Sequence, residues 1–295
     1  MRILVTGREG QLAQSLAALQ EPGIAINCVG RPELDLADAA RAEIYVVGLA
    51  PDVIINAAAY TAVDKAETEP ELAMAINCHG AAAMARAAAR LGVPLIHIST
   101  DYVFSGDKVG AYVETDSTGP LGVYGQTKLA GEQAVANFAP HHAILRTSWV
   151  YSRFGHNFVK TMLRLGSERS ELRVVADQFG APTSAADLAT AILKIALHLK
   201  NRAAFSGIYH MAGTGFTNWA GFAEEIFAIR AATGHTIPKL TSITTQDYPT
   251  PARRPLNSTL DCQKLETAFG VRLPRWQESL RTCLLELDKN TTPNI

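Results

Sequence analysis

The opening of the chain constrains its fold more than any other segment. The apolar residues Ile3–Val5 are typical of a buried strand, and Gly7-Arg8-Glu9-Gly10 follows them as a turn ahead of a helical pattern over Gln11–Leu19. In such a unit the first glycine permits a tight turn, and the second lets the backbone approach a pyrophosphate at the helix N-terminus. Ala13 supplies a third small residue, which permits close helix packing. We therefore predict a dinucleotide site here; the alternative is an ordinary glycine turn between a strand and a helix.

Short β-rich runs and alanine-rich helical patterns alternate through the first half of the chain. Near-continuous apolar strands separated by helices are typical of a parallel sheet that is covered on both faces. The predicted strands are Ile3–Gly7, Ile24–Val29, Val53–Asn56, Leu95–Ser99 and Ala143–Arg146, and the predicted helices between them are Gln11–Leu19, Ala37–Leu49, Pro70–Leu91 and Tyr124–Asn137. This pattern predicts an α/β fold with a Rossmann-type doubly wound parallel sheet.

The second half breaks this rhythm and predicts a smaller C-terminal α/β lobe. Its candidate elements are strands at Leu172–Ala176 and Gly207–Ala212 and helices at Asn157–Leu165, Trp219–Ala232 and Trp276–Leu287, with a Pro/Thr-rich stretch of little periodicity from Pro238 to Pro255. We assign residues 1–150 to a dinucleotide-binding domain, which also receives the strand–helix unit 172–200. Residues 151–171 and 201–295 are assigned to a substrate-binding lobe.

Composition limits the partners and the compartment. The net charge is −1 and no block of like charge occurs, so neither a nucleic acid nor a membrane surface is expected as a partner. The four cysteines are scattered without metal-ligand spacing, which favours thiols in a reducing compartment over a disulfide framework. No apolar run is long enough to span a bilayer. We predict a cytoplasmic location.

The residues after the second and third strands bear on the type of dinucleotide. An acid at the end of the second strand bonds a free ribose 2′-hydroxyl, whereas an arginine suits a 2′-phosphate. This chain has Gly30-Arg31 there, with Asp35-Leu36 as candidates to line an adenine pocket. We predict NADPH as the cofactor, with NADH tolerated, although Arg31 is equally compatible with a plain surface charge. The small residues of Asn56-Ala57-Ala58-Ala59-Tyr60 would let the backbone lie against that cofactor.

Two polar motifs predict proton-transfer chemistry. Tyr124 and Lys128 are four residues apart, which places them one turn apart on the same face of a helix. A lysine ammonium at that position favours the phenolate, so we predict a lowered pKa for Tyr124 and a role as general acid or base. Ser99-Thr100-Asp101-Tyr102 ends the fourth strand, at the edge of the sheet where ligands bind in doubly wound folds. We expect the Thr100 hydroxyl to hydrogen-bond a substrate carbonyl.

The glycine turn, the strand-end hydroxyl and the Tyr-x-x-x-Lys pair resemble those of the extended short-chain dehydrogenase/reductases. More specifically, the chain is similar, nearly from end to end, to the dTDP-4-dehydrorhamnose reductases. The stretches that carry this resemblance are Gly10-Gln11-Leu12, Asp52–Glu67, Ser99–Phe104, Arg146–Tyr151, Asn157–Leu163 and Arg254–Leu260. The resemblance implies reduction of the 4-keto group of a dTDP-4-keto-6-deoxy sugar, dTDP-4-dehydrorhamnose, to dTDP-L-rhamnose by hydride transfer from NAD(P)H.

The resemblance also implies roles for individual residues. Thr100 would bind the carbonyl, Tyr124 would be the catalytic acid, and Lys128 would assist Tyr124 and hold the nicotinamide ribose. The other expected cofactor contacts are Gly7, Gly10, Gln11, Leu12, Arg31, Asp35, Leu36, Ala57, Ala58, Ala59, Tyr60 and Ile98. The other expected substrate contacts are Val63, Asp101, Tyr102, Trp149, Asn157 and Arg254, with Trp149 against the sugar and the last two near the nucleotide end.

One departure and three alternatives remain. Some members of the family dimerise through a magnesium ion held by acids, one of them on the first helix; this chain has Gln14-Ser15-Leu16 there, so we predict no such metal and leave monomer and homodimer open. A sugar 4,6-dehydratase would need an acidic pair after Thr100, but Tyr102 follows Asp101. A nucleotide-sugar 4-epimerase stays open. A non-catalytic NADP-binding regulatory subunit would not need the complete set of Thr100, Tyr124 and Lys128.

Overall fold

The computed structural model describes residues 1–201 and 206–291, and its centre is a six-stranded sheet in the order β10-β5-β4-β3-β1-β2. All neighbouring strands in this sheet run parallel. The strands are β1 (Arg2–Thr6), β2 (Ala25–Val29), β3 (Val53–Asn56), β4 (Leu95–Thr100), β5 (His142–Thr147) and β10 (Gly207–His210). From β1 the strand order runs to β2 on one side and to β3, β4, β5 and β10 on the other, so the predicted doubly wound sheet is confirmed.

Helices cover both faces of this sheet because alternate strand residues point to opposite sides. Ile3 and Val5 pack into one apolar cluster with the helices α1 and α8, whereas Leu4 packs into a second cluster on the other face. The helices are α1 (Gln11–Ala17), α2 (Ala39–Leu49), α3 (Val63–Ala66), α4 (Pro70–Met74), α5 (Ala81–Leu91), α6 (Val123–Phe138) and α8 (Ala185–Asn201). The second cluster lies under α2, α5 and α6.

A separate apolar cluster holds the second lobe together. It contains Tyr151, Phe222 and Trp276, all buried, and lies between three helices and a two-stranded parallel ribbon. The elements of this lobe are α7 (Phe158–Glu168), β7 (Glu171–Val175), α9 (Trp219–Ala232), β12 (Lys239–Ile243) and α11 (Trp276–Thr291), with the short strands β6 (Val150–Tyr151), β8 (Phe179–Gly180), β9 (Thr183–Ser184) and β11 (Thr217–Asn218). The helix α10 (Gln263–Phe269) instead packs on β10 and α8 beside the main sheet. Two further ribbons pair β6 with β9 and β8 with β11.

The sheet topology divides the second half differently from the predicted domain boundaries. The predicted strand–helix unit 172–200 splits: β7 pairs with β12 in the second lobe, while α8 packs on α1 beside the main sheet. Exposed Glu171 and Arg173 alternate with buried Leu172 and Val174 in β7, which suits a ribbon with one covered face. Conversely, β10 joins the main sheet, although 201–295 was assigned to the lobe. Residues 202–205 and 292–295 of that range lie outside the described residues.

The predicted helix Pro70–Leu91 is interrupted by a π-helical segment. Between α4 and α5, residues Ala75–Gly80 adopt the wider i→i+5 winding. This winding brings the Asn77 side chain to the backbone of Tyr60 and places Gly80 against Leu36. Among the described residues, no helix is long and apolar enough to cross a membrane.

Candidate active site

The glycine turn between β1 and α1 is built for close backbone approach. Gly7 has φ 95°, and a Cβ on it would lie 3.1 Å from the Cα of Ala58. The Gly7 amide donates to the Val29 carbonyl at 2.8 Å, and the Gly10 amide donates to the Gly7 carbonyl at 2.8 Å. Gln11 and Leu12 then begin α1 with free first-turn amides. The cradle therefore fits a pyrophosphate.

A second basic residue, which the sequence prediction did not identify, lies beside the end of β2. Arg31 is exposed directly after Gly30, as expected. Arg8, inside the glycine turn, lies against Gly30 and pairs with Glu33 at 2.9 Å. Arg8 could have been identified as a phosphate contact from the sequence, because it lies inside the glycine turn. Both arginines are therefore candidates to contact a ribose phosphate.

The other predicted adenosine contacts are anchored in the fold. Asp35 accepts a hydrogen bond from the Ala37 amide at 3.0 Å. Leu36 is buried in the core against Gly80 of the π-helical segment. Both residues therefore lie beyond the end of β2.

The small residues after β3 are held by a polar network that crosses the sheet. The Thr6 hydroxyl donates to Asn56 at 2.7 Å and accepts from the Ala58 amide at 3.1 Å. Ala57 packs toward one apolar cluster and Ala58 toward the other, and Ala59 follows them. The side chain of Asn77 accepts from the Tyr60 amide at 2.8 Å, and Tyr60 donates its hydroxyl to Glu69 at 2.6 Å, which raises the pKa of Tyr60 to about 12. This backbone is fixed next to the glycine turn.

Thr100, Tyr124 and Lys128 meet where β4 ends against α6. Lys128 is buried and donates to the Ile98 carbonyl at 2.5 Å. The hydroxyl of Thr100 hydrogen-bonds Tyr124. Gly125 makes this approach possible, because a Cβ on it would lie 2.2 Å from the Tyr102 carbonyl oxygen. The structure thus brings together the three residues predicted from separate motifs.

The predicted lowering of the Tyr124 pKa is wrong for this structure. Burial raises the pKa of Tyr124 to about 12, and the Thr100 hydrogen bond offsets this only in part. The physical reason is that desolvation disfavours the phenolate. Lys128 points to the Ile98 carbonyl, and burial lowers the pKa of its ammonium to about 8. Tyr124 therefore carries its proton at neutral pH and is set up as an acid.

Asp101 and Tyr102 form a tight turn beside this group. Asp101 is 2 % exposed and accepts from the Thr100 hydroxyl at 3.0 Å. Burial raises the pKa of Asp101 to about 6 and also raises the pKa of Tyr102. The rings of Tyr102 and Tyr124 pack edge to face with centroids 5.5 Å apart. Val63, another predicted substrate contact, begins α3 and is half-buried.

A buried ion pair behind the site was missed by the sequence prediction. Glu132 lies one turn beyond Lys128 and pairs with Arg146 of β5 at 2.7 Å, with both side chains 2 % exposed. The same carboxylate accepts from the Ser99 hydroxyl at 2.5 Å, next to Thr100. The sequence did indicate that Glu132 faces the same way as Lys128, because the two residues are four apart on one helix. The network fastens α6 to the two strands beneath it, β4 and β5.

Trp149 lies after β5 in a constrained conformation. Its φ of 48° is in the left-handed region, which is costly for a bulky residue. The indole stacks on Trp219 with ring centroids 3.6 Å apart, and it approaches Gly180 so closely that a Cβ there would lie 2.5 Å away. Trp219, which begins α9, is a second candidate aromatic wall that the sequence prediction did not identify.

Two of the other predicted substrate residues have protein partners. Asn157 caps α7 by accepting from the Lys160 amide at 3.1 Å, and its amide donates to Gln11 at 3.0 Å. Arg254 pairs with Asp64 at 2.8 Å and also bonds the Thr250 hydroxyl. Arg254 lies near Tyr102. Its side chain is 23 % exposed, so solvent reaches it.

Over residues 1–201 and 206–291, the side chains form no cluster of acids, histidines and cysteines suited to a metal ion. Ser15 is buried on α1 and donates to the Gln11 carbonyl at 2.9 Å.

Comparison with known proteins gives matches over almost the whole chain. The family model described as the RmlD substrate binding domain matches residues 1–289. A dTDP-4-dehydrorhamnose reductase of Sinorhizobium fredii is 53% identical over 284 residues, covering 95% of this chain and 96% of that protein. A crystal structure of a dTDP-4-dehydrorhamnose reductase from Clostridium acetobutylicum superposes with a TM-score of 0.91 at 38% identity, covering 98% of this chain and 100% of that one. The enzyme of that name from Bacillus anthracis, solved in complex with NADP, has a TM-score of 0.90 at 37% identity, with coverage of 97% and 99%.

Proposed function

This chain belongs to the dTDP-4-dehydrorhamnose reductase family, and from that premise we propose how its residues carry out the reaction. The enzyme reduces the 4-keto group of dTDP-4-dehydrorhamnose to give dTDP-L-rhamnose. We assign the catalytic roles from one observation: Thr100, Tyr124 and Lys128 lie together at the carboxyl edge of the sheet. Ligands bind at this edge in doubly wound folds.

The cofactor is NADP(H), which supplies the hydride when it is bound. The glycine turn would hold its pyrophosphate, since Gly7 and Gly10 leave the backbone bare at the start of α1. Arg31, together with Arg8, would contact the 2′-phosphate and favour NADPH, while NADH is tolerated. Lys128 would hold the nicotinamide ribose.

Tyr124 acts as the general acid. Its hydroxyl is protonated at neutral pH because burial raises its pKa to about 12. As the C4 carbonyl oxygen gains charge, Tyr124 donates its proton to that oxygen. Thr100 would turn its hydroxyl from Asp101 to donate a hydrogen bond to the same oxygen. The Lys128 ammonium, one turn away, then stabilises the phenolate that remains. A partner for this phenolate matters more in a desolvated site than in water.

The predicted substrate residues surround this group. We infer that Val63, Asp101 and Tyr102 contact the sugar, with Trp149 on its face. Asn157 and Arg254 are proposed contacts nearer the diphosphate, which an arginine binds well. Arg254 would exchange part of its pairing with Asp64 for this contact.

We further propose that the enzyme is cytoplasmic and is a monomer or a homodimer that needs no metal on the first helix. The boundary near residue 150 remains our proposed division between the dinucleotide-binding domain and the substrate lobe, with α8 and β10 on the dinucleotide side.

The function is tested by following NADPH oxidation with the dTDP-4-keto sugar and identifying the product by mass and chromatography. Reduction gives stoichiometric NADPH loss and dTDP-L-rhamnose. A 4-epimerase would interconvert two 4-hydroxy sugars without net NADPH loss, and a regulatory subunit would bind NADPH without turnover. Either of these outcomes would overturn the proposal.

A further inference from the structure

The helix that carries Tyr124 lacks a cap of its own. Its N-cap residue is Gly122, which makes no side-chain hydrogen bond to the first turn. Tyr124 is the second residue of this helix, inside the turn whose amides have no partners within the helix. An uncapped first turn frays readily, which would move the phenol that has to reach the substrate oxygen.

A carboxylate from a distant segment takes the place of the cap. Glu67 follows α3, and its Oε1 atom accepts a hydrogen bond from the Val123 amide at 2.9 Å, across 56 residues of sequence. The negative charge also lies at the positive end of the helix dipole, where carboxylates are stabilising.

Gly122 provides the space for this contact. A Cβ on Gly122 would lie 2.5 Å from the Glu67 Oε1 atom. Its backbone is extended, with φ −146° and ψ 174°, which other residues adopt as N-caps. A side chain at position 122 would therefore displace the Glu67 carboxylate, whereas the backbone conformation there accepts other residues.

The segment that carries Glu67 is anchored on both sides of the site. Ala66 is fully buried, and Asp64 accepts from the Ala252 amide at 3.1 Å. Glu67 consequently reaches α6 from a fixed position.

We propose that Glu67 is a positioning residue that holds Tyr124 in place by capping the catalytic helix from outside. This inference rests on the proposed function. Two observations support this role: the Glu67 carboxylate accepts from the Val123 amide, and the N-cap residue, Gly122, has no side chain in its way.

Kinetics of Glu67→Ala and Glu67→Gln test the proposal in the intact enzyme. Glu67→Ala should lower kcat by about fivefold, the size of a typical lost N-cap, and leave the KM values for NADPH and the dTDP-sugar within about twofold. Glu67→Gln keeps an acceptor oxygen and should recover most of kcat. Glu71→Ala removes an exposed carboxylate a few residues away and serves as the matched control.

A local cap should rescue the loss. In the Glu67→Ala background the space beside Gly122 is vacant, so Gly122→Ser can supply its own hydroxyl to the first turn and should raise kcat. In the wild-type background the same serine displaces the Glu67 carboxylate and takes over the cap, so kcat should stay close to that of the double variant. Unchanged kcat in Glu67→Ala, or a rise in KM with kcat intact, would overturn the proposal; so would the absence of rescue in a folded double variant. An inactive wild-type enzyme would instead overturn the proposed function.

Discussion

The junction of β4 with α6 and the loop around Arg254 both face the candidate site, but they are held in opposite ways. At the junction, Ser99, Glu132 and Arg146 are each 2–3 % exposed and are joined by hydrogen bonds to the Glu132 carboxylate. The loop depends on the pair between Arg254 and Asp64, whose side chains are 23% and 41% exposed.

The difference follows from how water treats an ion pair. Breaking a buried pair leaves a charge without solvent, which is strongly unfavourable, whereas a solvated pair is worth little because water replaces either partner. The groups that would act on the reacting atoms are thus fixed by contacts that are costly to break. The group proposed for the diphosphate is held by a contact that a ligand is able to replace.

The largest expected effect is on stability at the junction. Glu132→Gln leaves the Arg146 guanidinium buried without its counter-charge and should lower the free energy of unfolding by ~3–5 kcal/mol. Urea denaturation measures this, with Glu43→Gln as the control, because the pairs of Glu43 with Arg86 and Arg90 are partly exposed. Equal losses in the two variants would show that burial does not distinguish these pairs.

The second-largest expected effect is on the turnover rate. Tyr124→Phe keeps the ring that packs on Tyr102 but removes the acid, so turnover should fall by ~100-fold or more. Affinities for cofactor and substrate should change far less. Near-normal turnover in single-turnover kinetics would remove Tyr124 from the mechanism.

A smaller effect is expected at the loop. A charge-assisted hydrogen bond contributes about 1.5–3 kcal/mol, so Arg254→Ala should weaken dTDP-sugar binding by about ten- to a hundred-fold. NADPH binding should stay intact in separate calorimetric titrations. Asp64→Asn, which weakens the pairing but keeps Arg254, should leave dTDP-sugar affinity closer to wild type. Loss of NADPH affinity in Arg254→Ala would place this residue at the other ligand.

The smallest effect is at the end of β2. Arg31→Ala should raise the KM for NADPH by about fivefold or less, as expected for an exposed charge contact, and leave the KM for NADH nearly unchanged. Arg8→Ala in parallel shows how the two arginines share the 2′-phosphate. An equal change for both cofactors would mean that Arg31 does not contact that phosphate.

Prediction from sequence succeeded where the signal lay within one element. Strand Val53–Asn56 and helix Trp219–Ala232 have the predicted bounds, because apolar run length and helical periodicity are properties of a single segment. Strand β12 was missed inside the Pro/Thr-rich stretch, since its burial comes from its pairing with β7. The placement of β10 in the main sheet likewise depends on a partner, β5, which is far away in sequence.

The same division applies to the site. The sequence alone determined that Tyr124 and Lys128 share a helix face, that a hydroxyl stands at the end of β4 and that a glycine turn follows β1, because each is a local spacing. Only the tertiary structure decided that Glu132 meets Ser99 and Arg146, that Glu67 reaches the Val123 amide, and that Tyr124 keeps its proton. Each of these depends on desolvation and on contacts between segments distant in sequence, which appear once the chain has folded.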